Sequence, residues 1–69
     1  MTLLTLVTTL SHNETIIIDE GAGCTIYEGT VRDFLATLKE QGFGEVEELI
    51  TSAVDTLFIN NGKLVIVLA

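Results

Sequence analysis

The stretch "LFINNGKLVIVL", residues 57–68, decides the fold of this chain. Its centre, Asn61-Gly62, predicts a β-hairpin, because a type I′ turn needs positive φ at both central positions and these residues adopt it readily. The strand after the turn is apolar at every position from Leu64 onward, so one layer of helices cannot cover both of its faces and further cover is expected. The turn also fixes the cross-strand partners, which are Ile59 with Leu64 and Leu57 with Ile66.

A second hairpin is predicted upstream, in "ETIIIDEGAGCTIYEG", residues 14–29. A β-branched run from Thr15 to Ile18 is followed by a glycine-containing connection of about five residues and by a second run, 24–28. Because side chains alternate along a strand, Ile16 and Ile18 are expected to share one face. The chain therefore supplies two hairpins.

Between the hairpins lies "TVRDFLATLKEQGF", residues 30–43, which carries helix signals at both ends. Thr30 and Asp33 have the spacing of a capping box, in which the hydroxyl and the carboxylate each bond a backbone N–H that the helix leaves unpaired. Gly42 can take positive φ after the last turn, and Phe43 can then pack back on the helix as in a Schellman motif. Four apolar residues form one stripe at helical spacing: Val31, Phe34, Leu35 and Leu38.

The start of this helix has a functional alternative, since helix N-termini can bind phosphate groups. Asp33, however, already places a carboxylate at the positive end of the helix dipole, so a phosphate would meet a like charge there. The Gly-Ala-Gly sequence at 21–23 lies between two predicted strands and leads into no helix, unlike a phosphate-binding loop. An ordinary capped helix is therefore the favoured interpretation.

Helical spacing also marks two further segments. In "TLLTLVTTL", residues 2–10, the apolar residues fall on one side of a helix and most threonines on the other, with Thr2 as N-cap, although threonine also favours a strand. In "EVEELITSAV", residues 45–54, apolar residues again recur at helical spacing, and three glutamates lie in the first turn. An irregular lead-in to the next strand is the alternative for this second segment.

These elements predict a single small α+β domain over residues 1–69, in the order α-β-β-α-(α)-β-β. The two hairpins form a four-stranded, mainly antiparallel sheet, and two or three short helices cover one face. A chain of 69 residues buries only about 60% of its unfolded surface and often relies on disulfides, a metal or a partner chain. The chain is 48% hydrophobic with a mean hydropathy of +0.55, so self-association is the expected outlet for the surplus apolar surface.

Composition excludes several classes of protein. One cysteine cannot form an intramolecular disulfide, and with one histidine it falls short of the four ligands of a structural zinc site. A net charge of −7 repels nucleic-acid phosphates, so direct DNA or RNA binding is not expected. No apolar run is long enough to span a membrane, and "MTLLTLVTTL" lacks the basic start of a signal peptide, which predicts a cytoplasmic protein.

The residues needed for catalysis are sparse. Cys24 and His12 are the only candidates for a nucleophile and its base, and Cys24 has no basic neighbour to lower its pKa, so a buried or half-buried thiol is the favoured interpretation. His12 is expected in a solvated turn. The acidic residues lack the spacing of a calcium loop, and so small a domain leaves little room for an enclosed pocket. No enzyme activity, metal or cofactor is expected.

Two surfaces remain as candidates for binding another protein. The first is acidic and comprises Glu40, Glu45, Glu47 and Glu48, which could steer a basic partner or mimic nucleic-acid phosphates. The second is the apolar final strand, whose exposed edge or face could pair with another copy of the chain. Its residues are Leu64, Val65, Ile66, Val67 and Leu68.

The sequence "ETIIIDE", the element "TIYEGTVRDFL" and the terminal "LFINNGKLVIVL" together resemble small acidic accessory proteins encoded by phages, prophages and conjugative elements of Gram-positive bacteria. The similarity extends over most of the chain, and Tyr27 to Leu35 is the part that approaches a motif. The resemblance implies a mobile-element accessory protein, a setting in which small acidic proteins sometimes inhibit host enzymes of defence or nucleic-acid handling. Together with the sparse catalytic residues, it leads us to expect a non-enzymatic interaction module that binds and inhibits a host protein, such as one that handles nucleic acid. A structural or assembly subunit that only self-associates or joins a virion complex is the alternative.

Overall fold

A computed structural model of the chain describes residues 1–21, 24–42 and 47–69. The sequence predictions for Phe43, Glu45 and Val46 lie outside these residues. The elements, in chain order, are α1 (Leu3–Thr9), β1 (Thr15–Asp19), β2 (Thr25–Thr30), α2 (Val31–Gln41), α3 (Glu47–Ile50), β3 (Val54–Asn60) and β4 (Lys63–Leu68). The predicted α+β class and order of elements are confirmed.

The four strands form one sheet in the order β2-β1-β4-β3. Both predicted hairpins are antiparallel, and β1 lies parallel to β4 between them. The turn between β3 and β4 has positive φ at Asn61 (53°) and Gly62 (77°), as a type I′ turn requires. The predicted register is confirmed in full, because Ile59 pairs with Leu64 and Leu57 with Ile66.

The helices begin where their capping residues predict. The Thr2 side chain accepts a hydrogen bond from the backbone N–H of Thr5 (3.3 Å), and the Thr30 hydroxyl accepts one from the backbone N–H of Asp33 (3.2 Å). Within the described residues the return bond of a capping box, from the Thr30 N–H to the Asp33 carboxylate, is absent. Gly42 ends α2 with φ of 81° and donates its N–H to the carbonyl of Leu38 (3.0 Å).

The helix predicted over residues 45–54 is much shorter in the structure. Its described part, α3, ends at Ile50, because the next residues are drawn into extended pairing with the N-terminus. Val54 donates its backbone N–H to the carbonyl of Met1 (2.9 Å), and Ser52 accepts a hydrogen bond from the N–H of Leu3 (3.0 Å). Apolar residues do recur at helical spacing in this segment, but contacts with the N-terminus outweigh the helical preference of its last residues.

One hydrophobic core fills the space between the helices and one face of the sheet. The sheet contributes Ile16 and Ile18 of β1 on the predicted shared face, together with Ile66 and Leu68 of β4. The helices contribute the side chains that helical spacing predicts: Leu3, Leu6, Val7, Val31, Phe34, Leu38 and Ile50. Leu35 and Leu10 are half-buried at the margin of this core.

The prediction that β4 pairs with a second copy through an exposed edge is wrong. β4 is an interior strand whose two edges are already paired, to β1 on one side and β3 on the other. Its side chains are also covered, since Val65, Ile66 and Leu68 are buried and the other two predicted contact residues, Leu64 and Val67, are half-buried. Neighbouring strands thus complete the surroundings of β4 within one chain.

Candidate interaction surface

The largest exposed apolar side chains in the described residues belong mostly to β3, an edge strand of the sheet. Leu57 is 43% exposed, Phe58 46% and Ile59 65%, and they are consecutive in the chain. Three adjacent apolar side chains on both faces of an edge strand are unusual, because edges are normally protected with charges, bulges or proline. This strand edge, Asp55 to Asn60, is called the β3 edge below.

The backbone of the β3 edge also presents unpaired hydrogen-bonding groups. In a hairpin with a two-residue turn, the residues that flank the turn exchange both backbone hydrogen bonds, and every second pair after them does the same. In this hairpin the flanking pair is Asn60 with Lys63, so Phe58 also directs its N–H and C=O toward β4. The N–H and C=O groups of Leu57 and Ile59 therefore point away from β4, outward from the edge of the sheet.

The N-terminus limits the β3 edge at one end. Thr2 forms an isolated antiparallel bridge with Ala53, and Met1 accepts a hydrogen bond from the N–H of Val54. Past Val54, no described strand pairs with the outer side of β3. At the other end the edge stops at the Asn61-Gly62 turn, and a register shift between Val54 and Thr56 marks its start, so it is a short segment with defined limits.

The β3 edge has different surroundings on the two faces of the sheet. Leu57 and Ile59 pair with Ile66 and Leu64, so they lie on the helix-covered face but beyond the core. Phe58 pairs with Val65 on the opposite face, where Val65 is only 4% exposed although it is not part of the helix-side core. Phe58 therefore extends an apolar patch on that face.

An ion pair borders this apolar patch. The Lys63 ammonium lies 2.7 Å from a carboxylate oxygen of Glu28, and so links β4 to β2 across β1. Both side chains are largely exposed, at 41% and 51%, so the pair contributes at most about 1 kcal/mol to stability. It does supply a polar boundary for the open face of the sheet.

The predicted acidic surface is only partly described. Glu40 at the end of α2 and Glu47 and Glu48 in the first turn of α3 are solvent-exposed, whereas Glu45 lies outside the described residues. Glu48 lines an open cleft together with Glu20, which sequence reasoning did not include in this surface. The two residues are 28 positions apart in the chain, so only the fold brings them together.

The two candidates for nucleophilic catalysis are not brought together. His12 lies before β1 and is tied to the start of α2, because its carbonyl accepts the N–H of Arg32 (3.1 Å). Cys24 lies beyond the other end of β1, next to Glu20, and that strand of five residues spans about 17 Å. Cys24 is exposed, so the prediction of a buried or half-buried thiol is wrong.

A second cleft, beside α2, is lined by basic side chains. His12, Arg32 and Lys39 line a shallow cleft of about 390 Å³ whose floor is formed by Leu35 and Ala36. The side chains of Arg32, Leu35, Ala36 and Lys39 recur at helical spacing on the exposed side of α2. In the described ranges, no group of three or more His, Cys, Asp or Glu residues is placed to hold a metal ion.

The single tyrosine has a structural position. The Tyr27 ring packs against Phe34 with ring centroids 5.0 Å apart, and its hydroxyl donates a hydrogen bond to the carbonyl of Thr30 (3.3 Å). Partial burial, and then the nearby carboxylate of Asp33, raise the pKa of Tyr27 above its ordinary value of 10.0. The phenol therefore stays neutral near neutral pH and keeps its role as a donor where β2 meets α2.

Comparison with protein-family models, curated proteins and solved structures finds no match for this chain. None of the helices in residues 1–21, 24–42 and 47–69 has the length and apolar character needed to cross a membrane. The resemblance to accessory proteins of mobile elements stays a hypothesis. The chemistry of the described surfaces therefore carries the functional assignment.

Proposed function

We propose that this chain is a non-enzymatic protein-interaction module that binds by accepting an additional β-strand at the β3 edge. The carrying observation is the coincidence of outward-pointing backbone groups at Leu57 and Ile59 with three exposed apolar side chains on the same segment. In strand addition, main-chain hydrogen bonds supply affinity and alternating side chains supply specificity. A strand without charge and with apolar side chains is the complementary partner.

The opposite edge of the sheet provides a contrast that supports this choice. β2 is also an edge strand, but it carries Glu28 and is joined directly to α2, whose N-cap is the last residue of the strand. Asp55 is the only charged residue of β3, and it lies at the start of the β3 edge. The β3 edge is therefore the apolar and less protected of the two.

We expect the substitution Ile59→Lys to abolish binding at the β3 edge, because a lysine there must be desolvated when a second strand docks. The measurement is the size of the complex that contains the chain in a lysate of cells that express it, determined by gel filtration. The unsubstituted chain is expected in a larger complex, and the variant at the size of a 7.5 kDa monomer.

Thr25→Lys is the matched control, since it adds the same charge at an exposed position of the other edge strand, β2. It is expected to leave the complex unchanged. Circular dichroism checks that both variants remain folded, which the exposure of both positions predicts. If the complex survives Ile59→Lys, or is lost equally with Thr25→Lys, the β3 edge is not the binding element.

A second candidate function uses the acidic surface. The exposure of Glu40, Glu47 and Glu48, with Glu20 beside Glu48, favours attraction of a basic partner. Inhibition of a host protein that handles nucleic acid, the role implied by the resemblance, belongs to this candidate. A complex held in this way weakens as salt screens the charges.

For this second candidate, the double substitution Glu47→Gln and Glu48→Gln is expected to weaken a complex with a basic protein about tenfold or more at low salt. The control, Glu14→Gln with Glu28→Gln, changes the net charge equally at positions that do not belong to this surface. Binding of the captured protein is measured by titration at two salt concentrations. Equal effects of the two double variants would show a response to net charge and no acidic binding surface.

A further inference from the structure

We propose that the strand accepted at the β3 edge is β3 of a second copy of this chain, paired antiparallel about a two-fold axis at Phe58. This inference rests on the proposed function and adds the identity of the partner and the register of pairing. Two four-stranded sheets would then join into one continuous sheet across the axis. Strand pairing of this kind is isologous, so each copy offers the same surface to the other.

The segment Thr56 to Asn60 is self-complementary in chemical type. In either direction from the aromatic Phe58, the next residue is aliphatic and the one after it is polar and uncharged. An antiparallel pair centred on Phe58 therefore places Leu57 opposite Ile59 of the second copy on one face. It places Phe58 opposite Phe58, and Thr56 opposite Asn60, on the other face. An isologous interface requires this property, and a partner of different sequence does not.

The backbone has the same symmetry as the side chains. Leu57 and Ile59 are the residues with outward N–H and C=O groups, and they lie one position to each side of Phe58. With the axis at Phe58, Leu57 of one copy and Ile59 of the other form a hydrogen-bonded pair on each side of the axis. Phe58 then falls in the non-hydrogen-bonded position, where opposed side chains approach most closely and aromatic pairs are favourable.

Neighbouring registers are less favourable. An axis at Leu57 places Asp55 opposite Ile59 of the second copy, so a carboxylate faces an aliphatic side chain. An axis at Ile59 places Leu57 opposite Asn61, which is in the turn and has a φ of 53° that no strand adopts. Only the axis at Phe58 matches aliphatic with aliphatic residues and polar with polar residues.

The charge of the molecule also selects this surface for contact between copies. Each copy carries a net charge of −7, so two copies repel each other least where their contact excludes the carboxylates. The segment from Thr56 to Gly62 contains no charged residue, with Asp55 immediately before it and Lys63 immediately after it. The two acidic molecules thus meet at a neutral strip that is bordered by one carboxylate, Asp55, and one ammonium, Lys63.

Disulfide trapping tests the register directly. In a Cys24→Ser background, which removes the exposed native thiol, Phe58→Cys places two cysteines in a non-hydrogen-bonded pair about 4.5 Å apart between Cα atoms, within disulfide range. Mild oxidation of the purified chain is expected to convert most of this variant into a covalent dimer on a non-reducing gel. Thr56→Cys is the matched control, because its copies would be separated by about 13 Å along the strand.

A mixed sample provides a trap that leaves Phe58 in place. Thr56→Cys and Asn60→Cys, each in the Cys24→Ser background, are expected to cross-link when mixed, because these two positions face each other across the axis. Each variant alone is expected to form no covalent dimer under the same oxidation. Mass spectrometry of the cross-linked peptides confirms the pair of positions that reacted.

Loss of both traps would overturn the two-fold pairing. If Ile59→Lys still dissolves the complex in the lysate while purified cysteine variants fail to cross-link, the accepted strand belongs to another protein or another register, and the proposed function stands without this inference. If Ile59→Lys has no effect in the lysate and no cross-link forms, both the proposed function and the two-fold pairing are wrong. Cross-linking of Phe58→Cys equal to that of Thr56→Cys would indicate random collision and would also overturn the pairing.

Discussion

Replacing Ile66 with alanine is expected to remove a large share of the free energy of unfolding at room temperature. Ile66 is fully buried on β4, the interior strand that is paired to both hairpins. Truncation of a buried isoleucine to alanine costs about 2–5 kcal/mol, because it removes apolar contacts and leaves a cavity. A domain of this size is stabilised by only about 3–10 kcal/mol in total. The free energy of unfolding is measured by circular dichroism in a urea titration.

Ile59→Ala is the matched control, since it makes the same chemical change on the same hairpin at a side chain that is 65% exposed. It is expected to change the free energy of unfolding by less than about 0.5 kcal/mol in dilute solution. Equal destabilisation by the two variants would contradict the assignment of Ile66 to the core and of Ile59 to the surface.

Replacing Phe34 with alanine is expected to lower the free energy of unfolding by about 3–5 kcal/mol. Phe34 is 3% exposed and lies in the stripe by which α2 packs on the sheet. It also supports the Tyr27 ring, whose centroid lies 5.0 Å from its own at an interplanar angle of 54°. Because the chain has one tyrosine and no tryptophan, the tyrosine signal in near-ultraviolet circular dichroism comes from Tyr27 alone and reports on its contact with Phe34.

Phe58→Ala provides the comparison for this second prediction. Its side chain is 46% exposed on the β3 edge, so the variant is expected to keep the Tyr27 signal and most of the stability. If Phe34→Ala leaves the Tyr27 signal unchanged in the folded protein, then α2 does not pack against β2 as described. If Phe58→Ala is the more destabilising variant at concentrations where the chain is monomeric, the β3 edge is buried within the monomer.

The parts of the fold that were predictable depend on residues close together in the chain. Asn61-Gly62 selects one turn type, and the turn then fixes the register of both strands. Thr30 starts α2 and Gly42 ends it, each through a hydrogen bond within four residues. In these places the local preference and the final structure agree, and agreement of this kind makes a prediction reliable.

The parts that were not predictable depend on distant contacts. No local signal indicates that β1 pairs with β4, since parallel pairing leaves no turn between the two strands. The same limitation explains the overlong helix at 45–54, whose last residues pair with Met1 and Thr2. Strand order and helix length there are properties of the assembled sheet.

The exposed apolar side chains lie on the hairpin that the sequence singled out, but on its first strand and not on its last. Leu64 to Leu68 is the longest apolar run of the hairpin, but a strand apolar on both faces is typical of the interior of a sheet. β3 has a neighbouring strand on one side only, and its apolar side chains at Leu57, Phe58 and Ile59 therefore stay exposed. The hydrophobicity of a strand predicts that its side chains need to be buried, whereas the order of the strands decides which strands have an unpaired edge.

The parallel contact between β1 and β4 also bears on how the chain acquires its structure. It joins Ile16 to Leu64 and Asp19 to Val67, pairs 48 residues apart, whereas each hairpin closes over a short loop. Closing a long loop costs more chain entropy and slows folding, so we expect the hairpins to form first and to dock late. During synthesis β1 has no β4 to pair with until residues 63–68 have left the ribosome, so we expect the complete sheet to form only after that point.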